Sequence, residues 1–233
     1  VMVLALGLGT TLADTVYLAD MTWPEVRDKL RQGTRTVIVP TGGIEQGGPH
    51  LVLGKHNYIV RRTAAAMARA LGDALMAPVV TYVPQGSIAP PQGHMRYPGT
   101  VSMPESVFQA VLENIARSFK AHGFRQILFL GDSGGNQHGQ RAVANQLNKE
   151  WAGTGTRVLH VSDYYDPEAN GQFAWMRAQG KATAAKSGHG DWRDTSELWA
   201  AHARGEKMLA LKIAAALRQI RHWRAQLANR LDK

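Results

Sequence analysis

The sequence predicts an α/β fold, a three-layer α/β/α arrangement around a mainly parallel sheet. Three observations carry this. Short β-branched or apolar runs alternate with longer helical stretches, the pattern of βαβ units whose helices cover both faces of a sheet. The run QILFLG (126–131) is apolar throughout, as a strand buried on both faces must be. Glycine-rich loops follow the runs at 34–40 and 126–131, at the strand ends where such sheets hold their ligands.

The elements follow in order. Residues 1–13, VMVLALGLGTTLA, are almost wholly apolar and too short to span a bilayer. They read as the remnant of a secretory signal ending at Thr11-Leu12-Ala13, which places the mature protein outside the cytoplasm, in a periplasm. A buried first strand, and then a cytoplasmic protein, is the alternative. Residues 14–233 read as one α/β domain. TRTVIVP (34–40) is the first strand, and HNYIVRRTAAAMARAL (56–71) is a helix with Asn57 as its expected cap. LMAPVVTYVP (75–84) is expected to be a strand with an irregular start at Pro78. Residues 102–123 form a helix expected to be capped by Ser102 and closed by Gly123. A helix at 140–152 and a strand at 156–162 follow. Residues 164–190 read as a polar lid or site loop with a short helix near 173–179. The last helix, 205–231, carries Leu209, Ile213, Leu217, Ile220, Leu227 and Leu231 on one stripe, with Trp223 beside it.

Composition excludes several classes. With no cysteine, disulfides and thiolate metal sites are ruled out. The net charge of +9 raises the question of nucleic acid. Residues 204–233 alone hold eight Lys/Arg against two Asp/Glu, and the body carries no nucleic-acid motif. A solvated basic face on the last helix explains the excess, and neither a nucleic-acid partner nor a membrane span is expected.

The candidate chemistry lies in the two loops. Thr41–His56 offers Glu45, His50 and His56, and Gly131–His138 offers Asp132, Ser133 and His138. His94, in QGHMRYPGT, is placed to reach the same cleft. Carboxylates and imidazoles are ligands for divalent metals, and a metal makes water a nucleophile near neutral pH. His122 and His160 read as structural histidines.

Four stretches resemble the motifs of the creatininase (creatinine amidohydrolase) family. PTGGIEQGGPHLVLGKHN is similar to E-Q-H-G-P-H-L-P-L-G-T-D, and VPQGSIAPPQGHMRYPGTVSM to a loop ending in H-x-x-F-P-G-T. GFRQILFLGDSGGNQ is similar to a strand followed by N-G-H-G-G-N, and SGHGDWRDTSEL to H-A-G-E-x-E-T-S. The resemblance implies a metal-dependent amidohydrolase that opens cyclic amides or cleaves formamides, often a ring-like homo-oligomer. It implies Glu45 and His56 as metal residues for a single ion of Zn, Mn or Fe, and the residue reading adds Asp132, Asp194 or His138 as a further ligand. The resemblance further implies His189 and Asp194 in proton transfer, and His94, His50 and Trp192 around a small-molecule substrate. The chain departs from the pattern at Gly47 and Ser133, where the family has His. It also departs at His56, in place of Asp, and at Trp192, in place of Glu. Two alternatives stand beside this reading. One is a family fold with an eroded metal site that binds a small ligand. The other is a serine hydrolase, because Gly131–Gly135 satisfies G-x-S-x-G, with Ser133 as nucleophile, Asp163 or Asp166, and His189.

Overall fold

The computed structural model describes residues 15–181, 189–199 and 203–231. The expected signal segment lies outside them. The first helix described is α1 (Trp23–Arg31). Thr22 begins it: its backbone N–H and its hydroxyl both donate to Glu25 Oε2 at 2.6 Å, and Pro24 sits in the first turn.

Strand β1 (Thr36–Thr41) is buried at every residue. It leads through the Gly-rich loop to α2 (Lys55–Leu71), which ends at Gly72 with a left-handed φ of 78°. Strand β2 (Ala74–Met76) is short. After it come α3 (Glu105–Ala121), β3 (Gln126–Gly131), α4 (Gln137–Glu150) and β4 (Arg157–His160). The chain closes with α5 (Gln172–Ala178), α6 (Trp192–Leu198) and the long α7 (Ala203–Leu231).

The four strands pair in the order β2-β1-β3-β4, all parallel. Alternate residues along a strand point to opposite faces, and this sorts the core into two layers. Val37, Val39, Ile127 and Phe129 pack with Phe108 and Leu112 of α3 and Val143 and Leu147 of α4. Ile38, Leu128 and Leu130 pack on the other face with Val60 and Ala64 of α2 and Ala216 and Ile220 of α7. The predicted three-layer α/β/α architecture is therefore the one observed.

Several expectations change in detail. The strand expected over 75–84 stops at Met76, because Pro78 has no N–H for a ladder. Beyond it the Ala77 N–H still donates to the Ile38 carbonyl at 2.9 Å, and the chain then meets β1 again at an isolated bridge, Thr41 to Val80. Asn57 does not cap α2, which starts at Lys55; its side chain instead holds the loop at Gly43, accepting from the amide at 3.1 Å and donating to the carbonyl at 3.2 Å. Ser102 does not cap α3; its hydroxyl accepts from Gln85 N–H at 2.9 Å and donates to the Gly86 carbonyl at 2.8 Å. The basic face of α7 is also not wholly solvated. Arg224 ties α7 to the start of the sheet through Asp73 at 2.9 Å and Gln126 at 2.6 Å, and Lys212 is 2% exposed.

Candidate active site

Strands β1 and β3 are neighbours and end together, with Thr41 opposite Gly131. Their two following loops therefore leave the sheet at one height. Asn136 fixes them by donating to the carbonyls of Thr41 and Gly42, each at 3.0 Å, and Gln140 Nε2 donates to Thr41 Oγ1 at 2.8 Å. Gly135 lets the 84–86 loop approach, since a β-carbon there would lie 2.0 Å from the Pro84 carbonyl oxygen. The cleft so formed encloses about 630 Å³, in the ordinary range for a small-molecule site. Glu45, His94, Glu105, Ser133, His138 and His189 line it.

Glu45 is the hinge of the site. It is 2% exposed, yet one of its oxygens faces the cleft. Oε1 pairs with His56 Nε2 at 2.6 Å, and Oε2 accepts from Ser133 Oγ at 3.2 Å. His94 Nε2 lies 4.0 Å from the same Oε2, while Gln46 Nε2 donates to His94 Nδ1 at 3.2 Å. His94 and His189 meet edge to face with ring centres 4.3 Å apart. One donor atom each from Glu45, His94 and His189 falls within 4.8 Å of the others. A carboxylate with two imidazoles is a donor set that zinc and related ions accept, so these residues fit a divalent cation.

The charges behind the cleft are arranged differently. His56 lies between two carboxylates, its Nδ1 being 3.7 Å from Asp132 Oδ1, beyond hydrogen-bond distance. Asp132 Oδ1 accepts from Lys212 at 2.8 Å and Oδ2 from the Tyr164 hydroxyl at 2.8 Å. Lys212 also reaches Glu197 Oε2 at 3.3 Å, and Gln172 donates to the other Glu197 oxygen at 2.7 Å. Burial pushes the His56 imidazole down, but Asp132 and Glu45 outweigh it and leave the group above its ordinary value. Burial raises Asp132 and Glu45, yet Lys212 and His56 for the first, and His56 for the second, hold both below the usual carboxylate range. Burial lowers His189, with His94 adding to the effect.

The site residues expected from sequence separate into groups. Glu45, His94 and His189 converge on the cleft. His56 and Asp132 are next to Glu45 but face the closed side, because Lys212 and Tyr164 draw Asp132 inward. Asp194 is bound by the ammonium of Lys55 and by the Gly190 amide at 3.3 Å, and is held low against burial by Lys55. Gly47 makes room for that ammonium: a β-carbon there would sit 3.1 Å from Lys55 Nζ. His50 reaches outward to Thr195 at 3.1 Å, and Trp192 stacks on Trp175 at 5.8 Å, so both stand outside the cleft wall. The serine relay is not assembled. Ser133 faces Glu45 rather than His189, while Asp163 accepts from Ser162 Oγ and Asp166 from the Glu168 and Ala169 amides. His160 is structural as expected, bonded to Gln137 at 2.8 Å and lowered to about 4 by burial and by Arg141. Sequence reasoning missed Lys55, Lys212, Glu197 and Glu105. The last pairs with His138 Nδ1 at 3.0 Å on the cleft rim.

Fold and site together define a class: a three-layer α/β/α protein with a carboxylate–imidazole cleft at the carboxyl edge of a parallel sheet. The family model described as creatininase, creatinine amidohydrolase, matches residues 19–226, and the chain belongs to that family. It is 30% identical over 129 residues to 3-dehydro-scyllo-inosose hydrolase of Thermotoga maritima, covering 55% of this chain and 37% of that protein. It is 32% identical over 132 residues to the mycofactocin precursor peptide peptidase of Mycolicibacterium smegmatis, covering 54% and 51%. The chain thus spans about half the length of these curated relatives or less. Among solved structures, a mutant creatininase of Zn-Zn type superposes with a TM-score of 0.72 at 18% identity, over 90% of this chain and 98% of that one.

Proposed function

We propose that the chain is a divalent-metal-dependent amidohydrolase of creatininase type, acting on a C–N bond of a small cyclic amide or formamide. The observation that carries this is the convergence of Glu45, His94 and His189 within 4.8 Å at the mouth of a small-molecule cleft. Those three residues would hold zinc, manganese or iron, and the ion when bound supplies Lewis-acid polarisation of a carbonyl and activation of water. The chain's own residues do the rest. His56 holds Glu45 Oε1 from behind and Ser133, on the cleft wall, donates to Oε2, so the carboxylate keeps one orientation. His138, oriented by Glu105, is the group free to give a proton to the leaving nitrogen, since Asp194 is bound to Lys55. The same proposal takes the chain to be exported and self-associating, as its apolar start and its family imply.

The test is metal content, by elemental analysis of protein purified without chelator, for wild type and Glu45→Ala. Bound zinc, manganese or iron in the wild type, lost in the variant, supports the reading and directs a screen of cyclic amides and formamides for ring-opened or deformylated product. Absence of metal from both, even after zinc or manganese is added, would refute it and leave a ligand-binding role for the cleft.

A further inference from the structure

Behind the cleft lies a second cluster of metal-ligand chemistry that the proposed reaction does not use. Asp132 and Glu197 turn inward, their side chains 1% and 7% exposed, and both meet the ammonium of Lys212. The ring of Tyr164 lies 4.4 Å from that ammonium and adds a cation–π contact. His56 turns its Nδ1 to the same place, and among the described residues that buried atom has no hydrogen-bond partner. His56, Asp132, Glu197 and Lys212, with Tyr165, Gln172, Arg193 and Asp194, surround a space of about 10 Å³, about what one water or small ion fills. The Arg193 guanidinium lies 3.8 Å from Asp194, whereas Lys212 is, among the described residues, the cation in ion-pair contact with Asp132 and Glu197. Two carboxylates and an imidazole nitrogen around such a space are a donor set for a divalent cation. Size does not forbid an ion there. Charge does, because the position already holds a positive group that cannot leave.

We infer that Lys212 is a built-in cation standing where a second metal would otherwise sit between Asp132, Glu197 and His56, so that this chain takes one divalent ion, at Glu45, His94 and His189. The inference rests on the metal reading above and adds to it the count of ions and the residue that sets the count. Its logic is charge balance. A lone buried carboxylate pair is strongly disfavoured, and either a metal or an ammonium can neutralise it. The ammonium is covalently present at unit occupancy, so it wins at any metal concentration. Removing it leaves the pair without its directly bound cation, Arg193 being held at Asp194, and leaves the His56 nitrogen available.

The experiment uses the full chain and zinc alone as the probe. Bound metal is measured by elemental analysis and by calorimetric titration in wild type, Lys212→Met, and Lys212→Met combined with Asp132→Asn. The wild type is expected to saturate at about one ion, Lys212→Met at about two, and the double variant at about one again. A wild type that saturates at about two ions, or a folded Lys212→Met that stays at about one, overturns the inference while leaving the proposed function standing. A wild type with no metal removes that proposed function instead. Should Lys212→Met be unfolded without metal, refolding on zinc with both sites filled supports the inference, and failure to refold on zinc counts against it.

Discussion

On one side of Glu45 stand His94 and His189, open to the cleft; on the other stand His56, Asp132, Glu197 and Lys212, shut away from it. The two regions use the same residue types. What separates them is whether their charges are already answered. In the inner chamber every carboxylate oxygen of Asp132 and Glu197 has a donor, and two of those donors come from one ammonium. In the outer cleft, Glu45 is answered only by an imidazole and a hydroxyl, and among the described residues no ammonium or guanidinium lies within ion-pair distance of it. The lesson is that a constellation of ligand-type residues identifies a metal site only after its internal cations are counted.

The largest effect should come from removing the residue the two regions share. Glu45→Ala is expected to lower metal affinity by about 100-fold or more and abolish turnover, measured by competition with a chelator and by product formation. If metal affinity is unchanged, the cleft is not the site and the comparison collapses. Next comes Lys212→Met, which should cost about 3–5 kcal/mol of stability in chelator, because it leaves buried carboxylates without their partner. Urea unfolding with and without zinc reads it, and a loss below about 1 kcal/mol would mean the chamber is wetter than its geometry indicates. A smaller change is expected from His138→Gln, about 100-fold in kcat with metal content intact. Loss of metal together with activity would instead make His138 a ligand.

The smallest effect is in pH. His56 lies above its ordinary value of 6.5, so its contribution to stability is complete below pH 6.5 and disappears as pH rises through the folded value. Asp132 and Glu45 lie below their ordinary values of 3.8 and 4.5, so their contributions hold above those values and fade as pH falls through the folded ones. His160, lowered to about 4, and His189, lowered from 6.5, add stability as pH rises toward 6.5, so metal-free protein should be most stable near pH 6.5 and weaken on either side. Stability that keeps rising from pH 6.5 to 8 would show that His56 is neutral in the fold.

Much of the scaffold could be read from the chain because its signals are local. Apolar runs at 36–41 and 126–131 can only be buried parallel strands, and the helices between them end at glycines. Glu45 was legible because a lone carboxylate in a glycine-rich loop has few structural partners nearby. The inner chamber was not. Lys212 sits among Leu209, Ile213 and Ala216 on a helix rich in Lys and Arg, where another lysine looks like ordinary surface charge. Its burial depends on Asp132, whose position is set by the sheet, and on Glu197 from another helix. Asn57 and Ser102 had the residue type and place of helix caps, but both serve loops that come from elsewhere in the chain. Helix α1 went unread although Thr22 and Glu25 have the spacing of a capping box.

The flush ending of β1 and β3, with Thr41 opposite Gly131, also sets which length changes the gene could tolerate. One residue inserted within either strand would raise its loop by about 3.3 Å and turn every later side chain to the opposite face of the sheet. Glu45 and Ser133 would then no longer meet. Insertions between Glu45 and α2 would also disturb the site, since Gln46 holds His94, Gly47 makes room for Lys55 and the Glu45 N–H donates to the Leu53 carbonyl at 3.0 Å. Variation in chain length among relatives should therefore be absent from 36–54 and 126–133, a pattern an alignment of relatives can check.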